Sequence, residues 1–197
     1  MADGQPQPVL TPPAVIDTYG NALQTGSMYY ILSAQIVPDG GPITRGIVGG
    51  DQGPMTVVQD RSSLRNALPI VFYSATPGEQ WIRESVSSVT IRFQTPSAYL
   101  NSTIWQVAEY EDKTTRLRYI QLGGVVGKPG CKTYRNWFKI IKNTPFKNTY
   151  RIQYDPRDVC PIAGRRRNIA VFSVNGMWPL ALTSDYPYSF VFQKFDP

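Results

Sequence analysis

The stretch that decides the fold is Val89-Thr90-Ile91-Arg92-Phe93, in which apolar and polar residues alternate. Because successive side chains of a β-strand point to opposite faces, this period of two predicts a strand with one buried face. The same period recurs over Tyr150-Arg151-Ile152-Gln153-Tyr154 and around Phe190 and Phe192 near the end of the chain. Strands are therefore predicted in the middle and in the last third of the sequence.

Further β-favouring runs lie on both sides of this stretch, separated by turn-forming residues such as Asn175-Gly176. They are Tyr29-Tyr30-Ile31-Leu32, Met55-Thr56-Val57-Val58-Gln59 and Ile70-Val71-Phe72-Tyr73. Residues 97–122 lack Gly and Pro and have the length for a helix, but two strands around a turn at Asp112 fit their pattern better. Roughly ten to twelve short strands at this spacing predict an all-β domain, either closed or sandwiched.

An internal repeat is a further hypothesis. Dividing residues 15–197 into thirds gives about 61 residues each, and each third carries an aromatic-rich strand. These strands are Tyr29-Tyr30-Ile31-Leu32, Thr90-Ile91-Arg92-Phe93 and Trp137-Phe138-Lys139-Ile140. The pattern predicts a pseudo-threefold arrangement.

Domain organisation follows from length and composition. A chain of 197 residues with 42% hydrophobic residues predicts one globular domain with a substantial core. Residues 1–14 hold four prolines and little that can pack, which predicts a flexible tail before a domain over residues 15–197. No apolar run has the roughly 20 residues that a membrane span requires, so we predict no membrane partner.

Absent residue types exclude most catalytic sites. The chain has no histidine and two cysteines, which excludes histidine-based triads, histidine-ligated metals and four-thiolate metal sites. Phosphate-binding glycine motifs are also missing. The acidic cluster Glu109, Glu111 and Asp112 is interpreted as a solvated surface at a turn. We therefore predict a protein without enzymatic activity, cofactor or metal.

The net charge of +6 is consistent with a soluble protein or with attraction to an acidic partner. The densest basic cluster, Arg165-Arg166-Arg167, is shorter than the five to eight residues typical of nucleic-acid patches, so no nucleic-acid partner is predicted.

An ordered series of motifs runs along most of the predicted domain. The series opens with Val15-Ile16-Asp17-Thr18-Tyr19-Gly20-Asn21-Ala22-Leu23 and Gly26-Ser27-Met28-Tyr29-Tyr30-Ile31-Leu32. It continues through Ser102-Thr103-Ile104-Trp105-Gln106-Val107 and Asn136-Trp137-Phe138-Lys139-Ile140, and ends with Phe190-Val191-Phe192-Gln193-Lys194. This series resembles the plant Kunitz family typified by soybean trypsin inhibitor. The resemblance implies a β-trefoil, which is a six-stranded barrel capped by three hairpins, and inhibition of a target protease by a rigid exposed loop.

The matching loop departs from the pattern of a trypsin inhibitor. It comprises Ser74, Ala75, Thr76, Pro77, Gly78, Glu79, Gln80 and Trp81. The residue that fills the primary pocket of the protease, called P1, falls at Glu79, whereas trypsin requires Lys or Arg against a buried carboxylate. The loop-bracing Asn of the family is Thr25 here, and Gly78 adds conformational freedom. We therefore do not expect this loop to inhibit trypsin.

Three further features carry expectations from the resemblance. Some relatives use a second inhibitory loop in the region of Arg165, Arg166 and Arg167. The same residues are also consistent with a solvated basic hairpin. The family's usual cysteine pairs are incomplete, so Cys131 and Cys160 either form a disulfide or remain free buried thiols. Asn101 begins an N-glycosylation motif, which has meaning only for a secreted chain.

The resemblance predicts a monomeric protease inhibitor, with a serine protease favoured over a cysteine protease as its target. The alternative is a storage, ligand-binding or taste-modifying trefoil protein that has lost the reactive loop. The first residues lack the charged and apolar parts of a signal peptide, so the chain is either cytosolic or a mature form. The family resemblance favours a secreted or vacuolar protein.

Overall fold

A computed structural model describes residues 11–35, 40–50, 53–95, 101–125 and 127–196 of the chain. The described residues form short strands joined by turns, with two single-turn 3-10 helices at Leu64–Asn66 and Tyr134–Asn136. The strands are β1 Met28–Ser33, β2 Ile43–Ile47, β3 Met55–Gln59, β4 Ile70–Ser74, β5 Val89–Phe93, β6 Gln106–Val107, β7 Ile120–Gln121, β8 Phe138–Lys142, β9 Tyr150–Tyr154, β10 Arg167–Val171, β11 Leu180–Thr183 and β12 Phe190–Lys194.

Six of these strands close into a barrel. The antiparallel pairings run from β1 to β4, β5, β8, β9 and β12, and β12 pairs again with β1. The remaining strands form three two-stranded hairpins, β2–β3, β6–β7 and β10–β11, each inserted between two barrel strands. This is the β-trefoil predicted from the sequence, with an all-β architecture.

The repeat has the predicted length but a different third member. Strands β1, β5 and β9 begin at Met28, Val89 and Tyr150, so each unit starts 61 residues after the one before it. The aromatic run at Trp137 was predicted to belong to the third unit, yet it leads into β8, the last strand of the second unit. Aromatic residues do not distinguish the strands of a unit, because its first and last strands both line the barrel core.

The core fills the barrel with aromatic and branched side chains. Phe192 is fully buried, and its ring centroid lies 5.5 Å from that of Phe72 and 5.8 Å from that of Tyr150. Trp105, also fully buried, lies 5.6 Å from Phe93. Residues from all three units therefore meet in one cluster, which makes the barrel a single packing unit.

Strands β2 and β11 were not predicted from the sequence. In β2, Gly46 looks like a turn residue, but its position is set by close packing, because a Cβ atom there would lie 2.7 Å from Cε of Met177. Strand β11 is only four residues long and has no period-two alternation. Neither β2 nor β11 can be recognised from its own sequence without its partner strand.

The boundary of the predicted tail needs a correction. Residues 1–10 lie outside the described part of the chain, but residues 12–14 are bonded to the domain. The backbone N–H of Glu84 donates to the Pro13 carbonyl at 2.9 Å, and the Arg83 side chain donates to the Pro12 carbonyl at 2.9 Å. The anchored chain therefore begins before Val15, because two prolines still offer free carbonyl acceptors.

No helix within the described residues is long and apolar enough to cross a membrane.

Candidate functional site: two exposed loops

Two connections carry the predicted functional residues, and they lie at opposite ends of the barrel. Each hairpin follows a barrel strand and precedes the next one, so all three hairpins lie at the same end. The loop over residues 74–81, here called the first loop, forms the first part of the connection from β4 to β5 at the other end. Residues 161–166, here called the arginine loop, follow β9 and lie at the hairpin end. The two loops can therefore contact different partners.

The first loop is braced by the segment that precedes β1. The Asp17 carboxylate accepts hydrogen bonds from the backbone N–H groups of Tyr19 and Asn21, at 2.9 and 2.8 Å, and fixes a tight turn. The chain then reaches the loop, where the Thr25 N–H donates to the Gln80 carbonyl at 2.9 Å. These contacts hold the second half of the loop to the barrel.

A tight turn forms the tip of the first loop. The Glu79 N–H donates to the Thr76 carbonyl at 3.2 Å, with Pro77 and Gly78 in the two central positions. Gly78 has a φ of 76°, a value that suits glycine at the third position of such a turn. The glycine predicted to loosen the loop thus closes it. Thr76, Pro77, Gly78 and Gln80 are exposed.

The Glu79 side chain faces the protein. Its carboxylate accepts hydrogen bonds from the Ser74 and Ser87 hydroxyl groups, the latter at 2.8 Å. The Ser87 oxygen in turn accepts from the Arg83 N–H at 2.9 Å. The residue expected at P1 therefore ties the start of its own loop to the chain just before β5, because one serine hydroxyl matches each carboxylate oxygen.

Thr25, which takes the place of the loop-bracing asparagine, braces the loop by its backbone alone. Its hydroxyl oxygen is buried and has no hydrogen-bond partner among the described residues. A threonine side chain is shorter than that of asparagine and offers one hydroxyl in place of an amide. The central residues of the loop are therefore held from within, by Glu79.

The arginine loop is anchored at both ends. Cys160, which is 2% exposed, forms a disulfide with Cys131 across a sequence separation of 29 residues. At the other end Arg167 is not a loop residue, because it opens β10 and pairs with Tyr154 of β9. Arg165 and Arg166 are exposed between these anchors and form no hydrogen bond or ion pair with the described residues.

A charge network fixes the chain that leads into the arginine loop. Asp155 is 2% exposed and accepts two hydrogen bonds from Arg157, at 2.7 and 2.8 Å. Lys139 of β8 lies 3.7 Å from the Asp155 carboxylate and 2.5 Å from that of Asp158. The hydrogen bonds from Arg157 lower the pKa of Asp155 against the opposing effect of burial, and the charge of Lys139 lowers it further.

Replacing Asp155 by asparagine is expected to lower the free energy of unfolding at neutral pH by about 1.5–3 kcal/mol, the range for hydrogen bonds to charged groups. Because the pKa is lowered in the folded state, the stabilisation is present above the unfolded value of about 3.9 and is lost as pH falls through the folded value. Urea unfolding at neutral and acidic pH measures both. Asp185→Asn, at an exposed site, is the control. A difference from wild type that is undiminished in strong acid would contradict this assignment.

The remaining sequence predictions concern the glycosylation motif at Asn101 and metal binding. Asn101 is exposed, and the motif's threonine, Thr103, is buried and donates to the Phe93 carbonyl at 2.6 Å. Within the described ranges, no group of three His, Cys, Asp or Glu residues is placed to hold a metal ion. Ser87 and Asp155, which support the two loops, were not predicted from the sequence, because tertiary packing sets their partners.

The chain matches a known protein family. The family described as trypsin and protease inhibitor, the legume Kunitz family, matches residues 15–194. The chain belongs to the plant Kunitz protease inhibitor family. This confirms the resemblance seen in the sequence, the trefoil and the expectation of a protein that is not an enzyme.

Among Kunitz relatives, "Kunitz trypsin inhibitor 5" of Arabidopsis thaliana is 35% identical over 183 residues, covering 91% of this chain and 85% of its own length. "Miraculin" of Synsepalum dulcificum is 30% identical, covering 98% of this chain and 86% of its own. The solved structure of the Kunitz-type cysteine protease inhibitor PCPI-3 from potato superposes with a TM-score of 0.81 at 32% identity, covering 95% of this chain and all of its own. Relatives of this Kunitz protein thus include inhibitors of different protease classes.

Proposed function

We propose that this Kunitz protein is a protease inhibitor whose first loop does not recognise trypsin-like enzymes and whose arginine loop does. One observation carries the proposal: the Glu79 carboxylate is held by Ser74 and Ser87. A carboxylate at P1 would meet the buried carboxylate of the trypsin pocket, and like charges brought together at an interface cost several kcal/mol.

The arginine loop offers what the first loop lacks. Arg165 and Arg166 are exposed basic side chains without partners among the described residues, and a buried cysteine and a paired strand flank them. A loop that is ordered before binding loses less conformational entropy in a protease cleft and is held together after cleavage. This geometry supports an inhibitory role over that of a solvated basic hairpin.

The test is titration of trypsin with wild-type protein and with the double variant Arg165→Ala/Arg166→Ala. We expect the double variant to inhibit at least about 100-fold more weakly, because a P1 side chain is an energetic hot spot of its interface. Glu79→Ala should leave trypsin inhibition unchanged. Arg92→Ala removes an exposed arginine of β5 that belongs to neither loop and serves as the matched control.

Two results would contradict the proposal. One is rapid trypsin cleavage after Arg165 or Arg166 without a persistent complex, which mass spectrometry would detect and which is the behaviour of a substrate. The other is a loss of trypsin inhibition in Glu79→Ala with inhibition kept in the double variant, since that result would return recognition to the first loop.

A second protease could bind the first loop. Its exposed residues Thr76, Pro77 and Gln80 are uncharged, which suits enzymes whose primary pocket does not require a basic residue. A serine protease of the subtilisin type is favoured, and a cysteine protease such as papain is the other arm of the assay. Inhibition of subtilisin that is weakened by Glu79→Ala and unaffected by Arg165→Ala/Arg166→Ala would support two independent sites.

The second candidate function is a binding or storage protein without protease inhibition. The inward-facing Glu79 favours it, and so does the relative named miraculin. No inhibition of trypsin, subtilisin or papain at micromolar concentration would establish this candidate over the inhibitor. Under either function we propose that the protein resides in a secretory or vacuolar compartment, because structural disulfides persist in oxidising surroundings.

A further inference from the structure

A basic cleft of about 810 Å³ opens at the hairpin end of the barrel. Five parts of the chain line it: the turn before β7, the end of β9, the arginine loop with the start of β10, Phe172 after β10, and the end of β11 with the two residues that follow it. Its volume lies within the range of about 300–1,000 Å³ that is usual for sites of organic ligands, so it can take more than a single ion. The sequence alone offered no indication of it.

Positive charge dominates the lining. Five arginines face two carboxylates, Glu111 and Asp185; the arginines are Arg116, Arg118, Arg165, Arg166 and Arg167. Glu111 lies 3.6 Å from Arg116, and both side chains are largely exposed, so this pair is weak. Within the described residues the other four arginines form no ion pair. A cleft lined by one sign of charge concentrates the potential and attracts anions.

Two of the arginines are held in place before any ligand arrives. Nε of Arg118 donates to the Ala108 carbonyl at 2.7 Å, and the side chain is half-buried. The Arg167 guanidinium donates to the Ser184 hydroxyl. Each keeps further N–H groups for a ligand, and a planar guanidinium pairs in bidentate fashion with carboxylate or sulfate oxygens. Ordered arginines reduce the entropy lost on binding.

Neutral polar groups lie between the charges. Gln153 donates to the side-chain oxygen of Asn168 at 3.0 Å, and Thr183 and Ser184 add hydroxyl groups. Hydroxyls and amides of this kind complement the hydroxyl groups of a sugar, since each can donate and accept. The lining thus combines charge recognition with hydroxyl recognition.

Other anionic macromolecules fit less well. The two aromatic residues of the lining, Tyr154 and Phe172, are buried and half-buried, so nucleic-acid bases would lack an open ring for stacking. An added peptide strand would need a free sheet edge, but at β11 the Leu182 N–H already donates to the Arg118 carbonyl at 3.0 Å.

We propose that this cleft binds an acidic oligosaccharide that carries carboxylate or sulfate groups. The proposal does not depend on protease inhibition, because Arg116 and Arg118 belong to neither inhibitory loop. Carboxylate and sulfate groups share the same chemistry toward guanidinium. The titration therefore uses one carboxylated and one sulfated oligosaccharide to distinguish between them.

The test is isothermal titration of the whole protein with four oligomers of matched length: oligogalacturonate, a sulfated heparin fragment, neutral malto-oligosaccharide and single-stranded DNA. We expect at least one acidic saccharide to bind, malto-oligosaccharide not to bind and DNA to bind more weakly. Arg118→Gln should weaken saccharide binding about tenfold or more, as expected for loss of a charge-assisted hydrogen bond. Arg116→Gln, at an exposed position, should act in the same direction if Arg118→Gln disturbs folding.

Arg92→Gln carries the same charge change outside the lining of the cleft and should alter the affinity by less than about twofold, because an exposed charge that does not contact the ligand is screened by salt. An equal loss in Arg92→Gln, DNA binding as tight as that of the saccharides, or no saccharide binding at millimolar concentration would overturn the proposal. Trypsin inhibition by Arg118→Gln is measured in parallel. If inhibition persists while saccharide binding is lost, the two activities are separable although both use the arginine loop. Each proposal can then fail without the other.

Discussion

Replacing Phe192 by alanine is expected to lower the free energy of unfolding by about 3–5 kcal/mol, the range for deletion of a buried aromatic ring. The ring is fully buried and contacts the rings of Phe72 and Tyr150. These partners belong to the first and third units of the trefoil, so the cavity would open where the units meet. Since rigid strands surround the site, the barrel cannot collapse to fill it.

Urea unfolding followed by tryptophan fluorescence measures this effect. The matched control is Phe146→Ala, the same change at a side chain that is 65% exposed, and it should cost less than about 0.5 kcal/mol. Phe192→Leu keeps most of the volume and should cost clearly less than alanine, which keeps the prediction testable if Phe192→Ala fails to fold. Equal stability losses in Phe192→Ala and Phe146→Ala would refute the packing described here.

Removing the disulfide by Cys131→Ser/Cys160→Ser is expected to cost about 3–4 kcal/mol, because the crosslink closes a loop of about 30 residues in the unfolded chain. In a protein of this size each kcal/mol corresponds to about 2–4 °C in Tm, so a decrease of about 6–16 °C is expected. The two cysteines were not certain partners from the sequence, and the disulfide joins the chain before β8 to the base of the arginine loop.

Calorimetry with and without a reductant measures this decrease, and the reductant should leave the Tm of the double variant unchanged. The loss also bears on function. With one anchor of the arginine loop removed, trypsin should cleave after Arg165 or Arg166 faster than in the wild type. An unchanged Tm on reduction, or equal cleavage rates, would show that the disulfide does not hold the loop.

The candidate site was only partly predictable. The position of the first loop followed from its flanking strands, and the absence of a basic residue at Glu79 was evident from the sequence. The role of that glutamate was not, since its partner Ser87 lies eight residues away and meets it only when β4 and β5 pair. The arginine loop was predicted as a candidate site, but the position of Arg167 at the start of β10 was not, because nothing in the local sequence indicates that a strand begins there.

The basic cleft is the clearest case of a feature that depends on tertiary structure. Arg116 and Arg118 precede a short strand of the second unit, whereas Arg165, Arg166 and Arg167 lie in the third unit. These two sets of arginines are too far apart in the sequence for any local pattern to include both. They meet because β11 of the third unit is bonded to the chain just before β7, through Leu182 and Arg118.

The sequence by itself determined most of the strands, the repeat length of 61 residues and the family, because alternation, turn residues and motif spacing are local properties of the chain. Tertiary structure alone decided the direction of the Glu79 side chain, the anchoring of the arginine loop and the convergence of five arginines. The physical reason is barrel closure, which brings strands of different units into contact and so sets the partners of each polar group.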